Sequence, residues 1–178
     1  MITNVTQIIK QYFTPIDYKE IAENAHFAEI GGKSCIRTKE DRKNNLSLDQ
    51  LNGMFGHWAL SMWATGSANL WREQRIKANK TPTKGDGGID LIIEGVTYDV
   101  KTSGMRGSSD PLRYNLPLRP RERHEEVCYV LALHPTDANY VWLVGKALEK
   151  DFPKTVSETG IFKGAFVIPA CKLTPMYV

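Results

Sequence analysis

The sequence has few cysteines and no long run of apolar residues. Its three cysteines, Cys35, Cys128 and Cys171, are far apart and form no CxxC pair. This spacing argues against a disulfide framework and against a structural zinc site, so we expect ordinary buried thiols. No stretch approaches the ~18 apolar residues of a membrane-spanning helix, and the first residues do not resemble a signal peptide. These absences predict a cytoplasmic protein with no membrane partner.

An excess of one charge is also missing, because 23 Lys and Arg stand against 20 Asp and Glu, for a net charge of +3. So mild a charge neither proves nor opposes a nucleic-acid partner. The hydrophobic fraction of 42% and the charged fraction of 24% are those of a folded domain and exclude wholesale disorder. For 178 residues we predict one main domain, residues 47–178, after a helical N-terminal extension and linker, residues 1–46.

Apolar and turn-forming residues predict the order of the elements. Two short helices are expected near the N-terminus, NVTQIIKQYF and PIDYKEIAENAHF, the second beginning at Pro15. Dense apolar residues from Leu48 to about Ala78 predict one long helix, or two helices separated at Gly66. VCYVLALHP and YVWLVGKAL are predicted strands, FKGAFVIPA is a weaker one, and residues 102–124 are a predicted long loop. This order indicates an α/β (α+β) fold around a mixed β-sheet.

Residues 84–104, KGDGGIDLIIEGVTYDVKTSG, predict a hairpin with acidic residues on one face. The pair Glu94-Gly95 suits a two-residue turn, because glycine tolerates the positive φ that such turns require. With this turn, one face of the hairpin is apolar, and on the other face Asp90 lies opposite Asp99. Lys101 follows Asp99 on that second face. The register therefore predicts a pair of facing carboxylates next to an ammonium group.

Two facing carboxylates, with Cβ atoms roughly 5 Å apart, repel one another unless a cation lies between them. Oxygen ligands of this kind suit Mg²⁺ or Mn²⁺. Lys101 would lie beside the water that such an ion activates, where it could orient or deprotonate that water. The alternative is a solvated Asp-Lys salt bridge, which the tripeptide alone would favour. The facing positions, and glycines 87 and 88, which let a backbone approach closely, favour the metal site.

The motif DGGID, the hairpin and YDVKTS together resemble the PD-(D/E)xK nuclease superfamily, which has the restriction-endonuclease-like fold, in its small phage and mobile-element form. The resemblance covers residues 50–145. It implies a central mixed β-sheet flanked by helices, and an endonuclease that hydrolyses DNA phosphodiesters with metal-activated water. It also implies that Asp90 and Asp99 are the metal-binding acids, that Val100 is a further metal ligand and that Lys101 is the catalytic lysine.

One position departs from that family pattern. The preceding helix of the small members carries GxxGE, whereas this chain reads GMFGHWAL, with His57 at the glutamate position. Histidine can ligate Mn²⁺, so His57 is a candidate catalytic and metal-binding residue. The alternative is a helix histidine that is satisfied by a neighbour. Asp86 could replace Asp90 as the first acid, although the glycines around it favour a turn cap, and Glu94 is expected to be solvated.

Basic residues lie on both sides of the hairpin. Arginines in a loop with Pro and Gly suit phosphate contacts that hold a DNA backbone without reading its sequence. Each cluster taken alone is more typical of a solvated surface, and it is their position on either side of the predicted site that favours DNA. The candidate DNA-binding residues are Arg106, Arg113, Arg119, Arg121 and Arg123 after the hairpin, and Lys39, Arg42 and Lys43 before it. The tryptophans Trp58, Trp63, Trp71 and Trp142 are assigned to the core.

Three functions stay open from these residues. The leading one is a Mg²⁺- or Mn²⁺-dependent DNA endonuclease, whose substrate class and assembly as a homodimer the residues leave open. The second is a catalytically inactive, nuclease-fold DNA-binding or interaction protein, in which His57 marks a lost acid. The third is an unrelated β-rich interaction domain with a coincidental DxK, which requires Asp90 and Asp99 to lie far apart.

Overall fold

The computed structural model describes residues 1–30, 46–80, 90–106 and 109–177. Over these ranges the chain forms three α-helices and seven β-strands, which confirms the mixed α/β class. No helix within them has both the length and the apolar character needed to cross a bilayer. The elements are α1 (Pro15–Ile30), α2 (Leu46–Thr65), α3 (Asn69–Lys80), β1 (Ile9–Tyr12), β2 (Leu91–Ile93), β3 (Val96–Met105), β4 (Asn115–Leu118), β5 (Val127–Pro135), β6 (Tyr140–Leu148) and β7 (Phe166–Pro169).

The central sheet has five strands in the order β1-β6-β5-β3-β2. Strands β3 and β5 are parallel, and the other neighbours in this sheet are antiparallel. Strands β4 and β7 form a separate antiparallel pair. Strand β3 therefore lies between the β2 hairpin on one side and β5 on the other.

Two apolar cores cover the two faces of the central sheet. Alternate residues of a strand point to opposite faces, so Val130 of β5 belongs to the core under α2, and Tyr129 belongs to the core under β4 and β7. Every residue of β5 is buried, as expected for a strand that is covered on both faces. Strand β3 lies next to β5 and presents its own alternate residues to the same two layers.

The prediction of a helix over NVTQIIKQYF is wrong. Residues Val5–Gln7 form one short 3₁₀ turn, and Ile9–Tyr12 form β1, which pairs with β6. The consecutive isoleucines at 8 and 9 favour an extended chain, and β6 supplies its backbone partners. The second predicted helix is confirmed as α1. It begins at Pro15, and the preceding Thr14 exchanges hydrogen bonds with Asp17.

The predicted break at Gly66 is confirmed. Helix α2 ends at Thr65, Gly66 has a left-handed φ of 66°, and α3 begins at Asn69. Trp58, Trp71 and Trp142 are buried, and Trp63 packs against the core from a partly buried position, as predicted.

The prediction that all three cysteines are buried is wrong for one of them. Cys128 is a buried free thiol, but Cys171 is exposed. Cys35 lies outside the described residues.

The prediction of a long loop over residues 102–124 is wrong in part. Strand β3 continues to Met105, and Asn115–Leu118 form β4, which pairs with β7. Short 3₁₀ turns occur at Pro111–Arg113 and Pro120–Glu122. The prolines in this segment obscure β4 in the sequence, and its partner strand lies about fifty residues further along the chain. The predicted strands β5, β6 and β7 are confirmed.

Candidate active site

The hairpin has the predicted register and the predicted turn. Strands β2 and β3 pair with Leu91 opposite Tyr98. In the turn, Glu94 has a φ of 50° and Gly95 a φ of 82°, the left-handed pair that fits the twist of a tight hairpin. The side chain of Glu94 is exposed, as predicted.

Asp90 immediately precedes β2 and continues the pairing. Its N–H donates to the carbonyl of Tyr98 at 2.9 Å, which brings it next to the following residue of β3, Asp99. Both aspartates are buried, with 7% of Asp90 and 3% of Asp99 exposed. The third function left open by the sequence required these two residues to lie far apart, whereas their backbones are neighbours in this hairpin.

Asp90 has two partners that stabilise its charge. The N–H of Val100 donates to Asp90 Oδ2 at 2.7 Å, and His57 Nε2 lies 3.1 Å from the same oxygen. Burial opposes ionisation of Asp90, but His57, the Val100 N–H and Lys101 together outweigh it and hold the pKa below its usual value. Asp90 is therefore a stable carboxylate. The role of Val100 as a metal ligand stays a prediction.

Helix α2 can place His57 on Asp90 because Gly56 has no side chain. A Cβ at Gly56 would lie 1.9 Å from Thr102 Oγ1 and 3.0 Å from Val100 Cγ1, both on β3. The helix backbone therefore lies directly against that strand. His57 is buried, and its Nδ1 has no hydrogen-bond partner among the described residues. Gly56 was the sequence signal that could have revealed this close packing, whereas a Cβ at Gly53 would meet no neighbour.

Asp99 has less compensation for its charge than Asp90 has. Its Oδ2 lies 2.9 Å from Lys101 Nζ, although no hydrogen bond of regular geometry reaches that oxygen. The contact is an ion pair without ideal hydrogen-bond alignment. Burial and the charge of Asp90 raise the pKa of Asp99 to about 7, and Glu122 contributes in the same direction, against the opposing effect of Lys101.

Lys101 keeps its proton. Burial by itself would lower its pKa, but Asp99, Glu122 and Asp90 more than offset this and hold the pKa above its usual value. The sequence left Lys101 free to orient or to deprotonate a water molecule. A charged ammonium group can orient a water molecule and offset negative charge, but it cannot accept a proton. The retained charge of Lys101 therefore favours a role in orienting water over a role as a base.

Glu122 is a member of this cluster that the sequence did not reveal. Its Oε2 lies 3.2 Å from Lys101 Nζ, and it belongs to the 3₁₀ turn Pro120–Glu122. It is the only acidic residue of the segment RPRERH, residues 119–124. A single acid inside an arginine-rich segment was the one signal that could have identified it. Lys101 therefore contacts two carboxylates, those of Asp99 and Glu122.

The predicted DNA-binding residues fall into three groups. Arg106, Arg113, Arg119 and Arg121 are exposed. Arg123 is partly buried, forms an ion pair with Glu149 and lies 4.6 Å from the centre of the Phe166 ring, so it holds its own turn against the domain. The third group, Lys39, Arg42 and Lys43, lies outside the described residues. The alternative acid Asp86 and the hairpin glycines Gly87 and Gly88 lie outside them as well.

The donor atoms of the cluster suit a hard divalent cation. Among the described residues, no group of three or more His, Cys, Asp or Glu is arranged to hold a metal ion. Mg²⁺ commonly uses only one or two carboxylates and completes its coordination with water and phosphate. Asp90 and Asp99 supply two carboxylates, and Asp99 Oδ2 lacks a regular hydrogen bond. These two residues therefore fit such an ion, with the imidazole of His57 adjacent to Asp90.

Comparison with known proteins identifies no relative, because no family model, no curated protein and no solved structure matches the chain.

Proposed function

We propose that the chain is a Mg²⁺- or Mn²⁺-dependent DNA endonuclease with a PD-(D/E)xK site on a restriction-endonuclease-like core. One observation carries the proposal. The hairpin buries Asp90 and Asp99 next to each other with Lys101 beside them. The two buried carboxylates therefore outnumber the single ammonium group, and the pKa of Asp99 is raised.

The imbalance supports a bound cation. Asp99 and Glu122 both contact the Lys101 ammonium group, and Asp90 acts on it electrostatically. The raised pKa of Asp99 reflects the cost of ionising a second buried carboxylate there. A divalent cation would remove much of that cost. When bound, Mg²⁺ or Mn²⁺ would polarise a phosphate oxygen and make water a better nucleophile.

The chain's own residues then have separate tasks. His57 and the Val100 N–H hold the Asp90 carboxylate in one orientation, and Asp99 supplies the second carboxylate. The Lys101 ammonium group would offset negative charge that develops on the phosphate in the transition state. In the hydrolysis the water oxygen bonds to phosphorus and gives up one proton to solvent, one P–O bond to a sugar breaks, and the departing oxygen takes up one proton from solvent.

The exposed arginines support a nucleic-acid substrate. Arg119 immediately precedes the turn that carries Glu122, and Arg121 lies within it, so both are on the segment that reaches the carboxylate cluster. Guanidinium groups bind phosphate with two hydrogen bonds in one plane. Contacts of this kind hold the backbone of DNA without selecting a base sequence.

A cleavage assay tests the proposal. The protein would be incubated with supercoiled, linear and branched DNA in Mg²⁺, in Mn²⁺ and in EDTA. We expect cleavage only with metal, loss of cleavage in Asp99→Asn, and retained cleavage in the matched control Asp137→Asn, which removes an exposed aspartate from the β5–β6 turn. If the wild-type protein cuts no substrate with either metal, the proposed activity is wrong.

One observation favours a second candidate, a DNA-binding protein that has lost catalysis. His57 occupies the place of a family glutamate and already contacts the Asp90 oxygen. This candidate predicts salt-dependent DNA binding of equal strength in Mg²⁺ and in EDTA. The nuclease predicts tighter binding to uncleaved DNA in a non-hydrolysing ion such as Ca²⁺ than in EDTA, so one titration separates the two.

A further inference from the structure

Lys101 lies between two carboxylates that come from different parts of the fold. Its Nζ is 2.9 Å from Asp99 Oδ2 and 3.2 Å from Glu122 Oε2. Only 23% of the side chain is exposed for Lys101 and for Glu122, so this contact differs from a solvated surface pair. A lysine has a long, flexible stem. With Asp99 alone, the ammonium group could still move over a range of positions, and the second carboxylate limits that range.

The turn that carries Glu122 is itself fixed to the central sheet. The hydroxyl of Tyr129 donates to the carbonyl of Glu122 at 2.7 Å and accepts from the N–H of His124 at 2.8 Å. Tyr129 is the residue of β5 that pairs with Asp99 of β3. One strand position therefore sets the location of both the turn and the aspartate.

We propose that Glu122 is a positioning residue, which holds the Lys101 ammonium group beside Asp99. The proposal rests on the proposed nuclease function, because Lys101 is the group through which Glu122 acts. Arg119 and Arg121 lie on the same short turn and are exposed. A DNA backbone bound by these arginines would therefore lie next to a lysine that the same turn has already placed.

Two simpler roles for Glu122 make different predictions. A purely structural ion pair would lower the stability of the fold when it is removed and leave the chemical step unchanged. A carboxylate that only repels DNA would, when removed, tighten substrate binding and lower KM without lowering kcat. A positioning residue lowers kcat and leaves KM nearly unchanged, because misplacing a reacting group by about 1 Å can cost ~10²-fold in rate.

The test is a double-mutant cycle on the full chain with Mg²⁺ or Mn²⁺ and a DNA substrate that the wild type cleaves. Glu122→Gln, which keeps the side-chain shape, would be measured alone and together with Lys101→Ala. We expect a loss in kcat of about 10- to 100-fold for the single variant and no further loss in the Lys101→Ala background. The matched control is Glu125→Gln, an exposed acid three residues away, and its kcat should stay within about twofold of wild type.

The outcomes are distinguishable. A loss for Glu122→Gln that persists undiminished in the Lys101→Ala background overturns the inference, as does an unchanged kcat with a lower KM. If Glu122→Gln fails to fold, Tyr129→Phe tests the same idea, because it frees the turn but keeps the carboxylate. It should lower kcat only when Lys101 is present, and an equal loss in both backgrounds overturns the inference. If the wild type cleaves no DNA at all, the proposed function fails and the inference fails with it.

Discussion

Asp90 and Asp99 are both buried and lie next to each other, yet their surroundings shift their pKa values in opposite directions. Asp90 accepts from the Val100 N–H and contacts His57, and these partners hold its pKa below the usual value. Asp99 has only the imperfectly aligned Lys101, and burial together with the charge of Asp90 raises its pKa to about 7.

The fold stabilises the ionised form of Asp90, whereas ionising Asp99 costs free energy. A pair of titratable groups with pKa values moved apart is a common property of catalytic sites. Packing gives no reason for a second carboxylate at position 99, because an apolar residue of the same shape would avoid the charge. A bound cation would supply the reason, and experiments on the two aspartates can therefore test the site separately from the fold.

The largest expected effect is that of Asp99→Asn on cleavage. The amide keeps the shape of the side chain and removes one metal-binding charge, so we expect cleavage to fall by at least about 10³-fold. Stability should change in the opposite sense. In EDTA at pH 8 the variant should unfold with a free energy about 1–2 kcal/mol higher than wild type, because it lacks a costly buried charge.

The stability that Asp99→Asn gains over wild type depends on pH. The pKa of Asp99 is about 7 in the folded protein and near 3.8 in the unfolded chain, so the folded protein binds more protons between these values. The wild type therefore loses stability as the pH rises from about 4 to about 7. The advantage of Asp99→Asn should be present at pH 8 and disappear towards pH 4. Asp137→Asn, which removes an exposed charge, should show no such dependence.

The next effect is that of His57→Glu, which places a carboxylate against Asp90 at the position where the resembled family carries one. In EDTA the variant should lose about 3 kcal/mol of stability, because a buried contact between an imidazole and a carboxylate becomes a contact between two carboxylates. Added Mg²⁺ should then raise its melting temperature more than that of wild type, and the ratio of Mg²⁺- to Mn²⁺-supported cleavage should increase. His57→Gln is the neutral control. Equal metal-induced shifts in both variants would remove His57 from the site.

A smaller effect, opposite in sign to the stability change of Asp99→Asn, is expected for Asp90→Asn. This change leaves His57 without its charged partner and weakens the acceptor of the Val100 N–H. We expect a loss of about 2 kcal/mol in EDTA at pH 8. Because the pKa of Asp90 is lowered in the folded protein, its contribution should be present above about pH 4 and decline below it. A gain in stability would contradict the contrast between the two aspartates.

The local parts of the site could be predicted from the sequence. The turn chemistry of Glu94-Gly95 and the alternation of apolar residues define the hairpin register, and the structure has that register. Gly56, directly before His57, was a signal that could have indicated a close approach of helix α2, because its missing Cβ makes room for Thr102. These features depend on neighbours within a few residues or on one packing face, and such information is present in a single sequence.

The remaining parts depend on partners that are remote along the chain. Strand β1 pairs with β6 more than 120 residues away, and β4 pairs with β7, so neither strand has a local signal stronger than its turn or helix propensity. Glu122 faces Lys101 only because Tyr129 fixes its turn to the sheet. From the sequence alone, Glu122 could equally be a solvated acid among arginines. Only its tertiary contact with Lys101 distinguishes the two roles.

The smallest expected effect concerns His134, a buried group for which burial acts without a nearby charge. Its Nδ1 lies 3.0 Å from Asn52 Oδ1, and its ring stacks on Phe55 with 4.0 Å between ring centres. Burial lowers its pKa from 6.5 to about 4. Protonation therefore favours the unfolded chain, and the wild type should lose stability as the pH falls from about 6.5 to about 4.

His134→Gln should remove that part of the pH dependence while lowering stability at pH 8, because the ring contact with Phe55 is lost. The measurement is the urea-unfolding free energy of both proteins at pH 8 and at pH 4.5, with the exposed His124→Gln as control. Cleavage at neutral pH should be unchanged, since wild-type His134 is already neutral there. If the variant keeps the full loss of stability between the two pH values, His134 is not the source of that loss and the lowered pKa of His134 is wrong.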